Sequence, residues 1–278
     1  MTSRFFTISK PLIILVFLFC FSELLNAQPE YWQRAYAHEN NRDEFFTAVL
    51  EAADKSIYTF GIYEDFDIGQ RSYIYKLDRY GNLIFEKKFP PLLTAFFEHV
   101  VVVNGNFYSV GHNDSISLGI INSGGDIVSY KNFVPGLSYF TKLFKDANNN
   151  LIAVGTYENQ YGLIAKFNLQ GDLVWYKILP STFHSYATDV IEVNSNYVFL
   201  NSSISSPSDT VNFKLMLTDS QGNIIKDTVF LKQRSIDFKN IIKTDSEYNI
   251  LGSGKFQGKN VNILYKLDTN FFLKVLNT

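Results

Sequence analysis

The sequence predicts an all-β fold, a β-propeller of about five four-stranded antiparallel blades. Three observations predict it. Phe, Tyr and Trp make up 16% of the 278 residues, and such side chains suit a half-buried pleated surface better than a helix face. A set of phrases recurs along the chain at a spacing typical of propeller blades. Asn, Asp and Gly clusters divide each recurrence into short β-like runs, with no long segment of helical period between them.

The clearest phrase reads Lys76-Leu-Asp-Arg-Tyr-Gly-Asn-Leu-Ile-Phe85, Ile121-Asn-Ser-Gly-Gly-Asp-Ile-Val128, Phe167-Asn-Leu-Gln-Gly-Asp-Leu-Val-Trp175 and Thr218-Asp-Ser-Gln-Gly-Asn-Ile-Ile225, with a degenerate copy at Lys266–Leu273. Its leading Asp or Asn is residue 78, 122, 168, 219 and 268. A second element aligns without gaps: Phe45–Leu50, Phe96–Val101, Tyr139–Phe144, Tyr186–Ile191 and Asp237–Ile242. A third is an apolar run closing on Gly61, Gly111, Gly155, Asn201 or Gly252. The units are 43–91, 92–136, 137–181, 182–231 and 232–278.

Each unit reads as four strands. In the third they are Phe140–Lys145, Asn150–Thr156, Tyr161–Asn168 and Asp172–Leu179. In the Asx-x-x-Gly-Asx phrase the Asx side chain caps the turn, and Gly takes a left-handed position, so the phrase is the hairpin between third and fourth strands. The fifth copy has Thr269-Asn270 where the glycine is expected, which predicts a shorter turn. Four antiparallel strands cannot bury both faces alone, and radial stacking solves that problem more naturally here than a solenoid of shorter repeats. Tyr31–Tyr36 resembles the fourth strand of unit three, Trp32 matching Trp175 and Arg34 matching Lys177. It competes with Phe271–Leu276 for the closing strand.

Residues 1–27 read as a removable signal peptide. Arg4 and Lys10 precede the apolar run Leu12–Phe21, and Ala27 is a small residue at the expected cleavage point. The run is too short to span a bilayer, which takes about 20 residues. The one cysteine, Cys20, falls inside this segment, so a mature chain holds no disulfide and rests on its core. Cleavage leaves a net charge of −3 with both signs interspersed. No basic run marks a nucleic-acid or anionic-membrane partner. The expected location is secreted, periplasmic or cell-surface.

The units resemble the divergent propeller repeats of secreted proteins from bacteria with a type IX export system. The resemblance spans residues 31–278 and rests on the Asx-x-x-Gly-Asx hairpin followed by an apolar run with Trp or Phe. It implies an extracytoplasmic propeller and no particular activity. A C-terminal sorting domain, frequent in such relatives, is not evident, which keeps ordinary periplasmic export open. Gly111-His112 occurs without the Trp-Asp of a WD40 blade. Gly171–Trp175 is similar to a phrase of quinone-binding propellers, but their docking phrase is missing and no cofactor is expected.

Chemistry is sparse in the sequence. His38, His99, His112 and His184 show no metal-ligand spacing. Glu64-Asp65-Phe66-Asp67 lacks the spacing of a calcium loop. The sequons at Asn113 and Asn201 read as incidental, Gly252–Lys255 lacks phosphate-loop spacing, and no Gly-x-Ser-x-Gly elbow is present. One column carries more. The fourth aligned position of the first strand, expected to line the central channel, holds Ala48, His99, Lys142, Asp189 and Asn240. The polar four are the ligand-site candidates, because the mouths of β-rings gather convergent polar groups. The expected function is binding of a protein or glycan without catalysis, with a glycan-active hydrolase or lyase as the alternative.

Overall fold

The computed structural model describes residues 44–65, 69–89, 97–111, 113–179, 184–204, 210–233, 236–256 and 259–272. The chain divides at Tyr36 into two units, and all described residues belong to the second. The signal segment, Tyr31–Tyr36, His38, His112 and residues 273–278 lie outside the described residues. So does the choice of closing strand.

The runs of the first repeat form β1 (Glu44–Glu51), β2 (Ile57–Asp65), β3 (Gly69–Leu77) and β4 (Leu83–Lys88), paired in that order as one antiparallel sheet. The second blade holds β5 (His99–Val103), β6 (Asn106–Val110), β7 (Asn113–Ile121) and the first part of β8 (Ile127–Lys145). The rest of β8 starts the third blade, followed by β9 (Leu151–Tyr157), β10 (Tyr161–Phe167) and β11 (Leu173–Leu179). The fourth comprises β12 (His184–Val193), β13 (Asn196–Ile204), β14 (Val211–Thr218) and β15 (Ile224–Gln233). The fifth contributes β16 (Ile236–Lys243), β17 (Glu247–Phe256) and β18 (Lys259–Asp268). Among the described residues no helix is long and apolar enough to cross a membrane.

Two local features differ from the sequence expectation. Blades two and three are not separated by a loop: β8 runs through both, and Ser138 pairs with Asn113 on one side and Tyr157 on the other. Gly136, at φ +129°, redirects the strand there, in a conformation that strains any residue with a Cβ. The fifth hairpin is not shorter. Phe271 takes the left-handed place of the missing glycine at φ 69°, and its N–H donates to the Asp268 carbonyl at 3.0 Å, as that of Gly171 does to Asn168.

The core lies between blades rather than within them. Tyr58, Phe60, Ile74, Phe97 and Phe107 join blades one and two, and Leu118, Phe140, Leu163 and Phe167 join two and three. Ile152, Ile164, Val190 and Phe199 join three and four, and Leu200, Phe213, Phe238 and Ile250 join four and five. Burying one such large side chain is worth roughly 1.5–3 kcal/mol. At the inner ends, β1 neighbours β5, β5 neighbours β8, β8 neighbours β12 and β12 neighbours β16. The first strands therefore follow one another around a common centre.

Candidate functional site

Every fully described first strand carries a β-bulge at the same aligned position. The ladder breaks between Phe46 and Ala48, Phe140 and Lys142, Ala187 and Asp189, and Phe238 and Asn240. The extra residues are Thr47, Thr141, Thr188 and Lys239. In blade two Glu98 stands at this position, immediately before β5 begins at His99. A bulge leaves one residue out of the ladder and bends the strand.

Two of the threonines, Thr47 and Thr141, use this freedom to bridge blades. Thr141 Oγ1 lies 3.1 Å from the Val154 carbonyl in its own sheet and donates at 2.7 Å to the Ala187 carbonyl of blade four. Thr47 makes the equivalent pair of contacts, to Phe60 at 3.2 Å and to the Phe97 carbonyl of blade two. The bulge also explains the glycine that closes the second strand. A Cβ on Gly155 would collide with the Tyr139 carbonyl, and one on Gly61 would sit 2.5 Å from the Phe45 carbonyl.

The residues at this aligned position, one from each blade, line one cavity of about 590 Å³. Thr47, Glu98, Thr141, Thr188 and Lys239 line it, with His99, Tyr139 and Phe140. That volume lies in the range of small-molecule sites, about 300–1,000 Å³. Burial pushes the Glu98 carboxyl up to about 7, and no hydrogen bond or ion pair to it is found among the described residues. Burial also pulls His99 down to about 4, aided by Lys142 and opposed by Asp189. At neutral pH the imidazole is uncharged.

The four candidate residues divide by depth. His99 lines the cavity. Lys142 lies 3.4 Å from the buried Asp189. Asp189 accepts the N–H of Val190 at 2.8 Å and that of Ile241 in blade five at 2.9 Å, so its oxygens tie two blades together. Asn240 lines a different cavity, on the face of blade five beside Leu251 and Leu264. The residues at the mouth are chiefly the third aligned position, one before the column singled out in the sequence. The run Thr, Glu, Thr, Thr, Lys was readable there, but which of two adjacent positions turns inward depends on the bulge.

Elsewhere, Asn201 is buried and its amide oxygen accepts the Ser185 hydroxyl at 3.1 Å. The side chains of the Glu64–Asp67 cluster lie outside the described residues. Among the described residues no group of three or more His, Asp or Glu is placed to hold a metal.

Successive four-stranded sheets around a common centre define a β-propeller. The chain is similar to the propeller domain of the Trilobed protease from Pyrococcus furiosus, which has an open velcro topology. Identity is 10%, over 84% of this chain and 71% of that one, with a TM-score of 0.51. It is also similar to a Bacteroides uniformis protein provisionally named a 6-phosphogluconolactonase, at 10% identity, 81% and 69% coverage and a TM-score of 0.50. Such identities show the fold alone. No protein-family model matches the chain, and no curated protein sequence does.

Proposed function

We propose that this propeller is an exported binding module whose ligand, a glycan or a protein segment, sits in the cavity at the channel mouth. The observation that carries the reading is the convergence on that cavity of the residue at the third aligned position of each of the five blades, four of them on bulges. A site shared among blades is held by the packing between them, which pre-organises it. Among the described residues the lining supplies a single carboxyl, Glu98. Glycoside hydrolysis in its usual forms needs two, and Asp189 is committed to two backbone N–H groups and Lys142. A hydrolase or lyase is the second reading, favoured by the Glu98 carboxyl, which stays protonated to about 7 as a general acid must.

Export is read from the arrangement of residues 1–27, and binding from the cavity. The test is to screen the secreted protein against glycan and peptide arrays and map any binder by NMR. Shifts centred on Glu98, Thr141 and Lys239 are expected, with no turnover. Binders that map only to the outer strands would overturn the site, and release of cleaved sugar, lost in Glu98→Gln, would replace binding with catalysis. Mass spectrometry of the exported chain should find Gln28 at the N-terminus; retention of residues 1–27 would overturn the cleavage.

A further inference from the structure

A second cavity adjoins the mouth cavity at Tyr139. Tyr139 lines both, and the second, about 380 Å³, runs outward between blades three and four along Thr156, Asn159, His184, Ser185 and Tyr186. Its walls are fixed: the Ser185 N–H donates to the Gln160 carbonyl at 2.7 Å, and His184 Nδ1 lies 2.9 Å from the Asn159 carbonyl. The two cavities share Tyr139 as a wall, and each reaches the size of a small-molecule site.

The charges along the two cavities cancel or are absent. Lys239 is paired with Asp237 at 2.5 Å and Lys142 with Asp189 at 3.4 Å. Burial holds the Glu98 carboxyl mostly protonated below about 7, and His99 is mostly neutral above about 4. What remains is a surface of hydroxyls, an amide and imidazole rings, interrupted by the half-buried rings of Tyr139 and Tyr186. Aromatic faces receive the C–H faces of a sugar ring, and the polar groups between them exchange hydrogen bonds with its hydroxyls. Among the described residues an anionic or cationic chain would find no unpaired counter-charge along these walls, and its desolvation would go uncompensated.

We infer that the two cavities, from the channel mouth across Tyr139 to His184, form one groove, an extended subsite for a neutral oligosaccharide, one unit at the mouth and at least one between blades three and four. The inference rests on the binding reading of the mouth and specifies its ligand class.

The test is calorimetric titration of the full mature protein with neutral hexose and pentose oligomers of one to six units, beside uronate oligomers of equal length. Affinity is expected to rise by about tenfold or more from one unit to two or three and then level off. Tyr139→Ala should lower oligomer affinity about tenfold and leave a single sugar unit nearly unaffected; Tyr139→Phe should retain most of it. Circular dichroism and the unfolding midpoint confirm that both variants are folded. Single units binding as tightly as hexamers would overturn the extended groove while leaving the mouth site standing. Tighter binding of uronates would overturn the neutral class. Binding of peptides alone, mapped to Glu98, would overturn the glycan assignment but not the binding module. Absence of any binder at the mouth would overturn both.

Discussion

The Thr141 hydroxyl in blade three donates to the Ala187 carbonyl in blade four at 2.7 Å, and so joins the two blades beside the mouth cavity. Replacing it by Val keeps the shape and leaves a carbonyl at the joint without this donor. A net loss of about 1–2 kcal/mol is expected. Thr188 makes a weaker contact, 3.3 Å to the Leu200 carbonyl of its own sheet, so Thr188→Val should cost less than Thr141→Val. Urea unfolding checks the order; equal midpoints would show that the bridge to blade four adds nothing.

Adjacent residues at the mouth should give opposing pH dependences. The Glu98 carboxyl is raised by burial from 4.5 to about 7 in the folded state. The folded protein therefore holds the extra proton across that window, and stability falls as pH rises through it. His99 is lowered from 6.5 to about 4. There the unfolded chain holds the extra proton, and stability rises with pH up to 6.5. In the wild type the slopes oppose each other where the windows overlap. Glu98→Gln should expose the rising slope of His99 and add about 2 kcal/mol at pH 8, after allowance for partial exposure. His99→Asn should expose the falling slope of Glu98. Flat profiles in both variants would show that neither group is desolvated as described.

Much of the fold was legible because the repeat is written in turn chemistry. Asp78, Asn122, Asn168 and Asp219 cap their hairpins through side-chain oxygens, and that requirement leaves an Asx-x-x-Gly-Asx trace in any alignment. The continuity of β8 was not legible, since no residue type announces that two blades share a strand. The site was half legible. The aligned segment Tyr139–Phe144 pointed to the inner strand, but the bulge that places Thr141 on the cavity leaves no marker within that strand, only the glycine opposite it.

The hairpin glycines pack against the preceding blade, which makes them more costly to replace than an isolated turn would suggest. Gly222 sits at φ +76°, and a Cβ there would lie 2.8 Å from the Trp175 ring. Trp175 in turn donates its indole N–H to the Ser220 carbonyl at 3.2 Å. Gly222→Ala therefore combines left-handed strain with displacement of a packed indole, and should cost about 2–3 kcal/mol. Phe271 is the converse. It bears the strain but is buried, packed edge-on against Tyr248 at 5.2 Å. Phe271→Gly relieves about 1 kcal/mol of strain and forfeits a buried ring worth about 3–5 kcal/mol, so the variant should be less stable. A more stable variant in thermal unfolding would mean that the ring contributes little.

Between blades three and four lies a buried polar group that tests how the propeller tolerates charge in its core. Tyr197 donates its hydroxyl proton to Asp146 at 2.7 Å and accepts from the Lys166 ammonium at 2.9 Å. Lys166 Nζ also stands 3.4 Å from the Asp146 carboxylate. Burial opposes ionisation of Asp146, but the Asn150 backbone N–H, the Tyr197 hydroxyl and Lys166 outweigh it and hold the carboxyl below its usual range. Tyr197 itself is raised, by burial first and then by Asp146. Tyr197→Phe removes the centre of the network and leaves two buried charges short of a partner, which should cost about 2–3 kcal/mol. Lys166→Met alone strands Asp146 and should cost about 3–5 kcal/mol, whereas Lys166→Met with Asp146→Asn removes both charges and should recover much of that loss. A double variant no more stable than Lys166→Met would show that the pair stabilises the blade joint beyond cancelling its own desolvation.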